Sequence, residues 1–417
     1  MAPIKAALLG FGTVGQGVYE ALKTHKRQLE SVFGNEVVIE AILVKDGSKK
    51  RDVDPDVLVT TDFDAILRIP DLQIVFEAIV GEEPGFTYLR KAIALGCHII
   101  TANKVMFAKH GRTLLSKADE EGVGIGFEAT TAGGTPIIRS ISQLLQVNEI
   151  HSIEAILNGT SNYILTTIRE KGLPFLEVLK TAQELGYAEA DPVNDVEGYD
   201  AFYKLMILSE LSFGNAPNWN DVERQGITEV AQEHIELFSR WGYRIKHLAR
   251  IRKEGEQLSA SVKPVLVDTD HSLYGIEGVQ NAVMVETSLA GKVTIQGAGA
   301  GKLPTASAMV EDLTFVLQPK PVNLKLFTQD VEQRAIASVQ ESQQALVVIG
   351  KDPLSADLAS FDAVIVKQEE SAGLIYRLIH CSSEAALALK CDTSLHIYEV
   401  ACDQLEKVDD LSEVVNF

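Results

Sequence analysis

Between residues 185 and 204 the chain reads Leu185-Gly186-Tyr187-Ala188-Glu189-Ala190-Asp191-Pro192, followed by Asp195, Glu197, Asp200 and Lys204. Asp200 and Lys204 stand four residues apart, a spacing that puts both on one face of a helix. Phe202, Leu205, Met206, Leu208 and Phe213 surround them and leave the helix apolar on most sides, the pattern of a buried helix. Charges in such a helix need a partner or a task. One reading is a plain Asp–Lys ion pair. The other is a group of acids that holds a cationic substrate amine beside a lysine able to donate a proton. Spacing alone does not choose between them.

A second chemistry-bearing pattern is Gly10-Phe11-Gly12-Thr13-Val14-Gly15, which leaves an apolar run and enters a helix-like segment. Glycines at this spacing permit a tight turn, close approach of a pyrophosphate to backbone N–H groups, and close packing of the helix. The helix start adds a partial positive charge for the phosphates. The alternative is a tight structural turn. The second strand runs through Ala41-Ile42-Leu43-Val44 into Lys45-Asp46, with Lys49, Lys50 and Arg51 beyond. Asp46 is placed to take a ribose hydroxyl, whereas Lys45 and the later cations suit a 2′-phosphate. NADP(H) is therefore the expected cofactor, with NAD(H) as a second; a solvated charged loop is the plain alternative. Asn103-Lys104 closes another strand, where parallel sheets bind ligands, although a lysine is disfavoured at the positive end of a helix. The polar turn Asn158-Gly159-Thr160-Ser161-Asn162 reads equally as a substrate-binding turn and as a helix cap.

The elements that must position these residues follow from hydrophobic periodicity. Apolar runs at Ile4–Leu9, Val37–Val44, Ile74–Ile79, Cys97–Thr101 and Gly124–Phe127 alternate with helix-like stretches at Val14–Leu29, Phe86–Leu95 and Val105–Glu121. Such alternation predicts an α/β fold with a doubly wound parallel sheet of the Rossmann type over residues 1–131. Residues 132–301 read as an α+β domain. Its expected helices are Pro136–Val147, Asn162–Lys171, Pro174–Leu185 and Val196–Phe213, and its strands His151–Leu157, Tyr243–Lys253, Gln257–Leu266, Ala282–Glu286 and Gly291–Gln296. A helix at Thr305–Leu317, in the segment 302–318, is expected to return to the first domain. Pro319 and Pro321 mark a linker to a small α+β module over 322–417, with strands at Val322–Thr328, Ala345–Ile349, Ala363–Lys367, Leu374–His380 and Leu395–Val400. On this reading a chain ending near Leu317 keeps every motif named above and is expected to retain activity, provided that the tail is not an obligate part of an oligomer.

With 417 residues, 46% hydrophobic and 23% charged, the sequence is long enough for two or three domains of ordinary globular composition. A formal net charge of −20 argues against nucleic-acid and anionic-membrane partners. No uncharged run approaches the roughly 20 residues that span a bilayer, and no signal peptide is evident, so a cytoplasmic location is expected. Cys97, Cys381, Cys391 and Cys402 show no metal- or redox-type spacing and read as reduced thiols.

Taken in order, several motifs resemble the homoserine dehydrogenase family over residues 4–318. They are the glycine motif, Thr101-Ala102-Asn103-Lys104, the segment Glu128 to Pro136, Leu157 to Ile164, the Glu189–Lys204 block and Gly297 to Ala306. The resemblance implies NAD(P)H-dependent reduction of aspartate 4-semialdehyde to homoserine, on the route to threonine and methionine. It makes Lys204 the proton donor, Lys104 a lysine beside nicotinamide and substrate, and Glu189 and Asp200 substrate contacts supported by Asp195. Gly186 and Gly301 fall where the second domain would touch the cofactor. Glu128 with the carbonyls of Thr131, Gly133 and Thr135 resembles a site for sodium or potassium, and oxygen-only ligation suits such a hard cation. The resemblance also implies a homodimer or homotetramer and, in many relatives, an ACT-type tail. Here Val322–Thr328 continues into Gln329-Asp330-Val331-Glu332 without the Pro-Gly turn of that module. Two rival readings are an aldehyde dehydrogenase using Cys97-His98 and a non-catalytic cofactor sensor. Strand alternation separates the Cys97 and His98 side chains, and a sensor has no need of Lys204, Asp200 and Glu189.

Overall fold

A computed structural model describes residues 2–255, 257–317, 343–351, 363–392 and 394–401. The strand expected at 322–328 and Cys402 lie outside the described residues. Six strands form the first sheet: β1 (Ile4–Leu9), β2 (Val37–Leu43), β3 (Leu58–Thr60), β4 (Leu72–Glu77), β5 (His98–Thr101) and β6 (Ile125–Gly126). Their order is β3-β2-β1-β4-β5-β6, with all neighbours parallel, the doubly wound arrangement expected from the alternation of elements. Successive residues of β1 go to opposite cores. Ala7 and Leu9 pack with Leu89, Ile93, Met106 and Leu114, while Ala6 and Leu8 pack with Val18, Leu22, Met309 and Leu313. This two-faced burial explains why the strands read as continuous apolar runs.

The helix Lys302–Val316 returns to this sheet and crosses the helix Thr13–Thr24. At their crossing a Cβ on Gly17 would lie 2.6 Å from the Lys302 carbonyl oxygen, so glycine sets the approach.

The second sheet contains β7 (Ile150–Ile156), β8 (Glu223–Arg224), β9 (Arg244–Glu254), β10 (Gln257–Val267), β11 (Gln280–Thr287), β12 (Gly291–Ala298), β13 (Gln343–Gly350), β14 (Val364–Ser371), β15 (Leu374–Ser382) and β16 (His396–Ala401). Their order is β12-β11-β7-β9-β10-β16-β13-β15-β14, and β8 also pairs with β10. The tail strands thus extend this sheet. Val265, Leu266 and Val267 of β10 pair in parallel with Glu399, Val400 and Ala401 of β16. The linker expected around the prolines at 319 and 321 lies outside the described residues.

Two expected helices are also revised. Pro136–Val147 resolves into a short turn, Ile137–Arg139, and then a wide helix, Ser140–Leu144. The single helix expected at Val196–Phe213 is broken by Gly198, whose φ of 79° is left-handed. Beyond the break runs the helix Tyr199–Phe213, which buries Asp200 and Lys204 together with Phe202, Leu205, Met206 and Leu208.

Candidate active site

The break at Gly198 places Asp200 in the first turn of its helix, where a carboxylate is favoured by the helix dipole. Asp200 and Lys204 are both buried, and Lys204 Nζ lies 2.7 Å from Asp200 Oδ2 and donates to the Leu157 carbonyl oxygen at 2.7 Å. The other oxygen, Oδ1, is 2.5 Å from Lys104 Nζ, which arrives half-exposed from the first domain. Asn158 supplies the remaining contacts. Its Nδ2 donates to Asp195 Oδ1 at 2.7 Å and to Asp200 Oδ2 at 2.9 Å, while its Oδ1 accepts from Ser161 N and caps the helix Gly159–Lys171. The polar turn is therefore both a cap and part of the acidic cluster.

The two lysines experience opposite fields. Burial pulls Lys204 below the ordinary lysine range, with Lys104 adding to the effect and Asp200 opposing it. The charge of Asp200 is the main cause that raises Lys104, so Lys104 stays cationic. Burial pushes the Asp200 carboxyl up, but the two ammonium groups override it and hold Asp200 ionised. Asp195 is raised by burial and by the neighbouring Asp200 charge. Glu189 is exposed, and Gly186 has open space around its Cα and a φ of 75°. They lie on the loop that Thr160 fastens through a 2.6 Å bond to the Tyr187 carbonyl.

The glycine motif fits a dinucleotide residue by residue. A Cβ on Gly10 would lie 2.7 Å from the Ala78 carbonyl oxygen, and one on Gly15 would lie 2.2 Å from the Gly10 oxygen, so both keep the turn closed. Gly12, which precedes the helix Thr13–Thr24, faces open space: a Cβ added there would meet nothing within 4 Å. That bare helix start, flanked by Phe11, Thr13 and Val14, is where a pyrophosphate would approach backbone N–H groups. Beyond β2, Asp46 is folded into its own turn, accepting from Ser48 N at 2.9 Å and Ser48 Oγ at 2.6 Å. Lys45 is exposed.

Two family profiles match the chain: the NAD binding domain of homoserine dehydrogenase over residues 10–128 and homoserine dehydrogenase over residues 136–314. Homoserine dehydrogenase of Bacillus subtilis is 40% identical over 319 residues, covering 76% of this chain and 74% of its own. The crystal structure of the Thiobacillus denitrificans enzyme of that name has a TM-score of 0.83 at 32% identity, covering 96% of this chain and 98% of that one. A hyperthermophilic archaeal homoserine dehydrogenase solved in complex with NADPH has a TM-score of 0.65 at 28% identity, covering 76% of this chain and 98% of that one.

The chain belongs to the homoserine dehydrogenase family. It is an NAD(P)-dependent oxidoreductase that reduces aspartate 4-semialdehyde reversibly to homoserine. The rival thiol chemistry finds no support in the geometry. Burial raises the Cys97 thiol to about 11, its Sγ faces the Leu72 carbonyl, and His98 Nδ1 instead accepts from Gly124 N at 2.9 Å.

The structure also adds residues that spacing does not single out. Glu77, at the end of β4, is fully buried. It accepts from Thr101 Oγ1 at 2.5 Å, Ile79 N at 2.7 Å and Asn103 Nδ2 at 3.4 Å. Asn103 in turn caps the helix that begins with Lys104, so Glu77 holds that lysine's base. An acid inside the apolar run Ile74–Ile79 is the sequence signal that could have found it. Burial lifts Glu77 to about 7. A carboxyl raised on folding gives its full stabilisation below its ordinary value, near 4.5, and loses it as pH rises through about 7. Glu77→Gln removes this loss, so the variant should gain on the wild type between pH 5 and pH 8, by an amount on the order of 3 kcal/mol. Thermal unfolding of both proteins across that range is the measurement; parallel curves of Tm against pH would refute the assignment.

Glu128 occupies the junction between the two domains. Its carboxylate accepts from Ile138 N at 2.8 Å and Arg139 N at 2.9 Å and so acts as a helix cap. Its own N–H donates to the buried Asp312 at 3.0 Å. The turn after it packs backbone to backbone on the glycine-rich segment 297–301: a Cβ on Gly133 would lie 2.5 Å from the Gly299 oxygen. Gly301 has a φ of 120°, outside the range of ordinary side chains, which accounts for its residue type independently of any cofactor.

Proposed function

We propose that Lys204 is the proton donor in semialdehyde reduction and that Lys104 is a fixed positive charge beside it. The opposite displacement of the two lysines around one shared carboxylate carries this reading. Neighbouring titratable groups whose environments separate their proton affinities are a general means of assigning acid and spectator roles. A bound nicotinamide supplies hydride in one direction and accepts it in the other. Lys204 holds the proton that the substrate oxygen takes up, and its ammonium stabilises negative charge growing there. Two of its three N–H groups are directed by Leu157 and Asp200, which leaves the third for the substrate. Lys104 keeps Asp200 from taking Lys204's proton and holds a second positive charge beside it. Because both Asp200 oxygens serve the lysines, Glu189 and Asp195 are the better candidates for the substrate ammonium. Turnover measured by nicotinamide absorbance during homoserine oxidation at alkaline pH, in proteins with and without the Lys204 amine, tests the assignment.

The cofactor reading rests on the turned-in carboxylate of Asp46 and the exposed Lys45, which favour NADP(H), with NAD(H) accepted less well. A charge-assisted contact contributes about 1.5–3 kcal/mol, so Lys45→Ala should weaken NADPH roughly tenfold or more and leave NADH nearly unchanged. Fluorescence titration with both cofactors checks this, and equal losses would exclude Lys45 from phosphate binding.

A sodium or potassium ion at the domain junction would rest on Glu128 with the carbonyls of Thr131, Gly133 and Thr135, the Glu128 carboxylate being shared with the N–H groups of Ile138 and Arg139. Its role would be structural. A homodimer or homotetramer and a cytoplasmic location complete the reading. Among the described residues no helix is long and apolar enough to cross a membrane.

A further inference from the structure

The Leu157 carbonyl that directs Lys204 has a second donor. Asn281, fully buried on β11, gives it a hydrogen bond from Nδ2 at 2.9 Å, next to the 2.7 Å bond from Lys204 Nζ. The other end of the same side chain, Oδ1, is buried with no hydrogen-bond partner among the described residues. An unpaired buried acceptor costs about 1–3 kcal/mol, so stability alone would favour an apolar residue of this size. The surroundings nevertheless make room for the carboxamide. A Cβ on Gly299 would lie 2.1 Å from Asn281 Cγ and Oδ1, and Gly299 is in turn packed on Gly133 of the inter-domain turn. Asn281 is thus wedged between the glycine-rich segment and the carbonyl that holds the reactive lysine.

We propose that Asn281 is a positioning residue for Lys204, which shares the Leu157 carbonyl with it, fixes where the ammonium sits and weakens that carbonyl's hold on the lysine's proton. The proposal rests on Lys204 as proton donor. A carbonyl that already accepts one N–H is a poorer acceptor for the second, and the Asn281 amide N–H is aimed at the same oxygen that receives the ammonium. Both effects favour the neutral amine, which must be present to take the hydroxyl proton when homoserine is oxidised. The charged groups facing Lys204 are Asp200 on its own helix, Lys104 from the first domain and Asp195 from the preceding turn. The hydrogen bond of the Asn281 side chain goes to the Leu157 carbonyl and not to any of these groups, so substitution there leaves the ion pairs in place.

The test uses the full chain carrying Asn281→Leu, Asn281→Ser, Gly299→Ala and the pair Gly299→Ala with Asn281→Ser, with Lys204→Met as reference. Asn281→Leu is expected to unfold at or above the wild-type temperature and yet lose about five- to tenfold in kcat, with KM for the dinucleotide unchanged. Its alkaline activation in homoserine oxidation should move upward by about half a pH unit. Asn281→Ser, should the leucine variant fail to fold, is expected to move the profile in the same direction. Gly299→Ala should reproduce these changes by displacing the carboxamide, and adding Asn281→Ser should add little to them, since both act on one contact. A folded Asn281→Leu protein with wild-type kcat and pH profile, beside a Lys204→Met protein that has lost turnover, overturns the positioning role alone. A lowered Tm without a change in kcat or pH profile would make Asn281 a packing residue and overturns it equally. Normal turnover in Lys204→Met would instead remove the donor assignment on which the proposal stands.

Discussion

Lys204→Met is expected to lower kcat by about 10²–10⁴, the usual contribution of a positioned acid, while leaving the dinucleotide Kd unchanged. Methionine keeps most of the aliphatic length of the buried Lys204 side chain, so the helix Tyr199–Phe213, which also buries Phe202, Leu205 and Leu208, loses little packing. What disappears is the ammonium between Asp200 Oδ2 and the Leu157 carbonyl. The glycine motif at Gly10–Gly15 belongs to the other domain, which is why cofactor affinity should not move. Asp200 keeps Lys104 as a partner at 2.5 Å and therefore remains ionised in the variant. That residual pair separates the two readings left open by the i, i+4 spacing. A merely structural ion pair predicts a loss of thermal stability with turnover preserved. A proton donor predicts the reverse, with kcat falling far more than Tm. A folded Lys204→Met enzyme with near-normal kcat would remove Lys204 from the chemistry.

How far such a site can be read in advance depends on whether its parts are local in sequence. Asp200 and Lys204 announce themselves because one turn of an apolar helix carries both charges. The glycine motif does so because strand, turn and helix are contiguous. Asn158 is visible only as a polar turn; its bridging of Asp195 and Asp200 arises from packing across some forty residues of chain. Asn281 has no local signature at all. It lies in an ordinary strand, and its partner carbonyl belongs to Leu157, 124 residues away. The helix break at Gly198 escapes the periodicity because a lone glycine in a periodic stretch is often tolerated, whereas here a Cβ would come within 2.9 Å of His247. The place of the tail is hidden for the same reason as Asn281. The prolines at 319 and 321 are local and read as a linker, but the pairing of β16 with β10 joins residues more than a hundred positions apart.

That pairing reverses the expectation for a chain ending near Leu317. Every motif would remain, but the surface beneath the tail would not be fit for water. Ala345, Val347, Ile349, Tyr376, Leu378, Tyr398 and Val400 share one core with Ile235, Phe238, Ile245 and Leu266 of the second domain. Burying each large apolar side chain stabilises by about 1.5–3 kcal/mol, so uncovering the last four alone removes on the order of 5 kcal/mol or more. That is comparable to the whole stability of many domains, typically about 5–15 kcal/mol. Charge compounds the loss. Glu399 of β16 faces Arg250 of β9 and lies 2.6 Å from Lys263 of β10, which is itself buried. Truncation leaves Lys263 with Glu223 alone and opens the β10 edge at Val265–Val267 to pairing with other chains. The expected result is a protein that is largely insoluble, or that unfolds at least 10 °C below the full chain on an order-of-magnitude estimate, with homoserine oxidation lost in proportion to the folded fraction. Soluble yield, Tm and activity of the folded fraction should be measured together with full-length Glu399→Gln, in which the apolar contacts persist and only the cation cluster is unbalanced. The point variant should fall between the two, soluble and active but less stable than wild type. A truncated chain that is monodisperse and unfolds at the wild-type temperature would show that β16 merely lies against the second sheet and contributes nothing to its fold.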